Sequence, residues 1–199
     1  MSFGFEKTDL ILEKAVDNTN ILMFAASTNF GATEDHPVRF PARVKHKVIC
    51  IHAADGIGNP YSGNPPDSSK DENFSTLGVC VPLGKKPDPK SQLSQLVYRS
   101  GTSVATPIAA GIAALVLEFA RQGGIHKKVE NREKLHTCIG MSSVLRRMAK
   151  AGKKDGFSFI WPPKVLLAAA NHAVSTESEQ MGEVCAKISE ALESRYNWY

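Results

Sequence analysis

Residues 100–120, SGTSVATPIAAGIAALVLEFA, place Ser103 where the first turn of a helix is expected. The first N–H groups of a helix have no partner within it and carry a partial positive charge. An alkoxide forming on Ser103, or an oxyanion beside it, is stabilised there, which suits a nucleophile once a base removes the hydroxyl proton. The same position suits a plain cap made by Thr102 or Ser103, and spacing alone favours the cap. Pro107 falls early enough to be tolerated. Beyond it Ala109, Ala110, Gly111, Ala113 and Ala114 are small and the segment is apolar all round. A closely packed, central and buried helix is expected.

Other residues of chemical interest are sparse. Asn29 follows the apolar run ILMFAA at 21–26 and by itself reads as a turn or cap residue. His36, His46 and His52 precede Ser103 and read as surface or strand residues rather than as a base. Ser103, Asp155 and His172 occur in the order Ser…Asp…His. That reading is disfavoured, because Ser103 lies in Gly-x-Ser-x-Ala, Asp155 in a Lys-Lys-Asp-Gly turn and His172 in a segment of helical pattern. Cys50, Cys80, Cys138 and Cys185 show no CxxC or Cys/His metal spacing, so neither a metal nor a cofactor is expected. Cys50 and Cys80 sit in apolar runs and are expected to be buried thiols.

The elements that must hold these groups alternate. Residues 7–18 carry Leu10, Ile11, Leu12, Ala15 and Val16 on one face, an amphipathic helix with Thr8 or Asp9 as cap. The runs at 21–26 and 47–53 (KVICIHA) are too short for helices and suit strands buried on both faces. Helix between strands implies a parallel sheet with crossover connections, an α/β fold flanked by helices. Residues 55–73 form a loop, 74–83 a strand ended by Pro82, and 84–95 another loop. The serine helix should run to about 119 and stop at Gly123-Gly124. A basic amphipathic helix is expected at 135–150, and helices at 165–173 and 177–196. Phe157, Phe159 and Trp161 alternate, which suits an edge strand packed on the body.

Composition sets the limits. The 199 residues are 42% hydrophobic and 22% charged, which excludes global disorder. Net charge is +4. Residues 121–199 hold 13 basic against 8 acidic residues with no aromatic platform, so a solvated face is expected and not a nucleic-acid surface. The N-terminus lacks a signal-peptide pattern. The longest low-polarity run, 104–117, is shorter than the about 20 residues that span a bilayer. The sequence reads as an intracellular, cytoplasmic protein with reduced thiols and no membrane partner.

Gly101-Thr102-Ser103-Val104-Ala105-Thr106-Pro107, followed by Ile-Ala-Ala-Gly, closely resembles the nucleophile motif of subtilisin-like serine proteases, the subtilases. The resemblance continues upstream in order. Met1-Ser2-Phe3-Gly4 is similar to the cleft-lining Met-Ser-Leu-Gly stretch of that family. Phe24-Ala25-Ala26-Ser27-Thr28-Asn29-Phe30-Gly31 is similar to its Ala-Ala-Gly-Asn-x-Gly stretch, with Thr28 in place of the usual glycine. Val48-Ile49-Cys50-Ile51 matches the next strand, Phe74-Ser75-Thr76-Leu77-Gly78 the Phe-Ser-x-x-Gly turn, and Val81-Pro82-Leu83-Gly84 a degraded Ala-Pro-Gly. The resemblance implies a serine endopeptidase acting on polypeptides, with Ser103 as nucleophile and Asn29 donating its side-chain N–H to the oxyanion. It also implies a substrate cleft lined by Ser2, Phe3, Gly4, Ala26, Ser27 and Thr28.

That family places its acid and base before the serine, in the order Asp, His, Ser. No His-Gly-Thr helix start or Asp-x-Gly strand end stands ahead of Ser103. The expectation is a C-terminal portion of a subtilisin-like fold, with residues 1–120 a partial peptidase domain and 121–199 a helical, basic extension. The acid and base are expected on an N-terminal half-domain outside the chain, with Met1 internal to a longer protein, so the isolated chain is expected to be nearly inactive. The alternative is a catalytically inactive interaction or regulatory domain. Residues 138–162 resemble, more loosely, the end of subtilase domains in large intracellular fungal proteins, which often carry further modules.

Overall fold

The structure, a computed structural model, describes Ile11, Lys14, 21–31, Val38, 40–66, 72–84, 96–122, 128–151, 156–167 and 176–193. Ile11 and Lys14 are helical; the rest of the helix expected at 7–18 lies outside the described residues. Strands β1 (Met23–Ala26), β2 (Val48–Ala54) and β3 (Asn73–Leu77) run parallel. Beside β3 lies β7 (Phe157–Ile160), also parallel, and β6 (Ala149–Ala151) closes the five-stranded order β1-β2-β3-β7-β6 antiparallel to it. A separate hairpin joins β4 (Val81–Gly84) to β5 (Leu96–Arg99). Helix α1 is Thr102–Gln122, α2 Cys138–Met148, α3 Pro163–Leu166 and α4 Glu177–Glu193; a 3-10 turn, Arg132–His136, precedes α2. The α/β class with a mostly parallel sheet is as the sequence pattern implies.

Six of the seven β2 residues are buried, in keeping with its β-branched, apolar run. The strand divides its faces by alternation. Ile49, Ile51 and Ala53 join Phe74 and the inner stripe of α1 in the main core, while Val48 and Cys50 pack with Ala42 and Val44 in a second cluster. Thr137 caps α2 by accepting from the Gly140 N–H at 3.0 Å. Thr176 and Glu179 form a reciprocal capping box at the start of α4. The Arg146–Glu72 ion pair ties α2 to the segment entering β3.

Several local expectations need correction. Helix α1 is not buried all round: Ala105, Ala109, Ile112, Val116 and Ala120 form one buried stripe, while Leu115 on the outer side is 63% exposed. It has the length and apolarity of a membrane span, yet its inner stripe packs on β1, β2 and β3. Pro107 is its sixth residue, past the tolerant first turn, so it withholds a hydrogen bond from the Ser103 carbonyl. Pro82 lies within β4 rather than ending a strand, and β3 and β4 are separate. The segment at 135–150 divides into the 3-10 turn, α2 and β6, and α1 runs to Gln122. The aromatic segment makes an interior strand, since β7 is paired on both sides. Cys80 is exposed, in a left-handed turn, and none of the four cysteines is in a disulfide.

Close approach of α1 to the sheet depends on Gly78. A Cβ there would stand 2.7 Å from the Ala53 Cβ and 2.9 Å from the Ala105 Cβ. Both neighbours are fixed Cβ atoms, so relief requires moving the helix. Gly78→Ala is expected to lower stability by about 1–3 kcal/mol, read as a fall in the urea midpoint with little change in slope.

Candidate active site

The carboxyl ends of the parallel strands converge on the start of α1, the place where open α/β sheets bind ligands. Backbone hydrogen bonds stitch these ends together. The Gly78 N–H donates to the Ala54 carbonyl at 2.8 Å, and the Gly101 N–H to the Gly78 carbonyl at 2.7 Å. The Ser100 hydroxyl accepts from the Cys80 N–H at 2.9 Å, so the segment entering α1 is held from two sides.

Asn29 lies just past β1 and reaches the same point. Its Oδ1 accepts from the Thr102 N–H at 2.8 Å and from the Thr102 hydroxyl at 3.2 Å. Because a backbone N–H can only donate, the carboxamide oxygen is the atom facing the Thr102 N–H, and the Nδ2 donors are not used by this contact. Gly101 makes room for this contact. Its φ is +140°, and a Cβ there would be 3.0 Å from Asn29 Oδ1 and 3.2 Å from Nδ2. Thr28, where the family motif has glycine, does not have a positive φ. Its hydroxyl accepts from the Phe30 N–H, so a side chain is accommodated there.

The first-turn N–H groups of α1 are largely taken. Thr102 donates to Asn29, and Val104 and Ala105 both donate to the Gly101 carbonyl. The Ser103 N–H is left for a ligand, in an exposed residue whose hydroxyl has no hydrogen-bond partner among the described residues. The arrangement offers a hydroxyl, a free backbone N–H on the same residue and a side-chain amide held one residue away. These are the parts of a nucleophile and an oxyanion hole.

The other sequence candidates are placed as follows. Ala26 ends β1 half-buried; Ser27 is buried and donates its N–H to the Ile51 carbonyl at 3.0 Å. Ser2, Phe3, Gly4, His36, Asp155 and His172 lie outside the described residues. His52 is 3% exposed on the β2 face turned away from α1, against Phe157, and His46 occupies a left-handed turn before β2. Neither reaches Ser103. The structural roles of Thr102 and Gly101 were not apparent from sequence beyond their membership of the Gly-Thr-Ser motif, because both depend on Asn29, 73 residues away from Thr102.

An exposed serine leads a core helix at the carboxyl ends of a mostly parallel sheet, with a tethered asparagine beside it, in an α/β architecture. Residues 1–161 match the model of the subtilase family, and the chain belongs to that family. It is similar to the subtilisin-like protease het-Q2 of Podospora anserina, 35% identical over 145 residues, 71% of this chain and 38% of the relative. The chain thus spans well under half of that relative's length. Among solved structures it is similar to the PatG macrocyclase in complex with peptide (TM-score 0.58, 20% identity, 82% of this chain and 47% of that one). It is also similar to the S218A mutant of the PatA protease domain (TM-score 0.55, 23% identity, 81% of this chain and 53% of that one). These two likenesses are of fold.

The tether has a stability of its own. Asn29→Ala leaves the Thr102 N–H without an acceptor and is expected to cost about 1 kcal/mol. Asn29→Asp keeps the acceptor at a helix N-terminus and is expected to retain wild-type stability. Equilibrium urea unfolding of the two variants distinguishes these outcomes.

Proposed function

We propose that this chain contributes the nucleophile and oxyanion hole of a serine endopeptidase. Ser103 Oγ attacks the scissile carbonyl carbon of a polypeptide, a base takes the hydroxyl proton, and the Ser103 N–H and Asn29 Nδ2–H bind the resulting oxyanion. The acyl-enzyme is then released by water. Extended substrate pairs with the backbone at Ser2, Phe3 and Gly4 and passes Ala26, Ser27 and Thr28. The single observation that carries this reading is the Asn29–Thr102 tether, which uses the carboxamide oxygen and leaves its N–H groups available beside an unbonded serine. Charge developing at that place meets donors already oriented, so little reorganisation is needed during reaction.

The general base and its orienting acid are proposed to come from polypeptide beyond residues 1–199. His52 faces the wrong side of the sheet, and the matched relative is much longer than this chain. The working setting is proposed to be intracellular, with further modules in the longer protein; cysteines that form no disulfide are compatible with a reducing compartment.

A fluorophosphonate probe tests the proposal, since it labels only an activated serine. In the longer protein Ser103 is expected to label, and Ser103→Ala to abolish labelling. Asn29→Asp is expected to slow peptide hydrolysis about 10²–10³-fold while the fold is kept. The isolated chain is expected not to label. Unlabelled Ser103 in the longer protein would favour the second reading, an inactive interaction domain, for which the motivating observation is that no described histidine reaches Ser103.

A further inference from the structure

At the amino ends of β2 and β3, away from Ser103, lies a cavity of about 200 Å³. Cys50 and His52 both line it. They stand two apart on β2, so their side chains share a sheet face. The Cys50 Sγ is 3.8 Å from His52 Nε2, within hydrogen-bond reach for sulfur. Cys50 is half-buried and open to the cavity, whereas the imidazole is almost wholly enclosed, with Phe157 edge-on at 5.0 Å. Arg43, Lys45 and His46, all exposed, line the same cavity. Among the described residues the acidic one lining the cavity is Glu72, ion-paired to Arg146. Subtilase chemistry at Ser103 uses none of these groups.

We propose that Cys50 is a modification site for small anionic electrophiles, of the class of α,β-unsaturated carboxylic acid derivatives. His52 takes the thiol proton, and the thiolate is the reactive form. The sulfur forms an S–C bond to the β-carbon of the alkene. The C=C π pair shifts toward the carbonyl, and the α-carbon receives the proton that His52 holds. Nothing is oxidised or reduced and no group leaves. The cavity limits the adduct to a small molecule, and the cationic side favours a carboxylate-bearing reagent.

The chain carries its own controls. Cys80 is exposed and lies in the turn between β3 and β4. Cys138 also lines the cavity, but burial pushes its thiol up to about 11, against weaker lowering by a Ser142 hydrogen bond and the Lys47 charge, so it stays protonated at neutral pH. Monomethyl fumarate and its neutral dimethyl ester serve as probes on the full chain, with adduct rates at each cysteine read by peptide mass spectrometry at pH 7. Cys50 is expected to react with the monoester at least about tenfold faster than Cys80, despite its lower exposure. His52→Gln is expected to bring Cys50 to or below the Cys80 rate while Cys80 is unchanged. The double variant Arg43→Ala, Lys45→Ala alters only exposed positions and is expected to slow the monoester at Cys50 but not the diester. A Cys50 rate no greater than that of Cys80 in the unaltered chain overturns the proposal, as does a Cys50 rate indifferent to His52→Gln in folded protein.

Discussion

The hydrogen bond from the Thr102 N–H to Asn29 Oδ1 organises the end of the sheet that carries Ser103. It joins the loop after β1 to the first residue of α1, and it does so through the acceptor half of the carboxamide. An amide has one acceptor oxygen and two N–H donors. Engaging the oxygen fixes the plane and direction of the donors. The same bond occupies the Thr102 N–H, and Gly101 occupies those of Val104 and Ala105, so the Ser103 N–H is the first-turn donor left over. One structural interaction thereby fixes both halves of an anion-binding pair.

That bond requires α1 to lie very close to the sheet. The approach is made possible by residues without side chains. Gly78 sits where any Cβ would strike Ala53 and Ala105, and Gly101 sits where any Cβ would press on Asn29. The small residues Ala105 and Ala109 continue the contact along the helix. Interiors are packed densely enough that a single methyl is felt. The Gly-Thr-Ser and Phe-Ser-x-x-Gly motifs are therefore two sides of one contact, and Gly101 N–H···O=C Gly78 is the bond between them.

The two faces and two ends of the sheet carry different chemistry. Alternation along β2 sends Ile51 and Ala53 toward α1 and Cys50 and His52 away from it. A histidine in the middle of the chain's most buried strand is thus separated from the serine by the sheet itself. Strands β6 and β7 extend that sheet beyond β3, so residues C-terminal to α1 share its hydrogen-bond ladder, and α2 and α4 share its core. The aromatic segment at 157–161 looked like an edge because alternation is the pattern of a half-exposed strand. Phe157 and Phe159 are both buried because β7 has a neighbour on each side.

Local pattern by itself determined two buried parallel strands, read at 21–26 and 47–53 and found at 23–26 and 48–54, together with the helix that Ser103 heads, since apolar runs, small residues and glycine stops act over a few positions. The GTSVATP motif also determined the family and, through it, the interest of Asn29. Other features were beyond its reach. The tether between residues 29 and 102, the reason for glycine at 78 and 101, the one-sided burial of α1 and the meeting of Cys50 and His52 above a cavity were decided by tertiary structure. Each depends on which segments the sheet order brings together and on how closely their backbones approach, quantities that spacing along the chain does not contain.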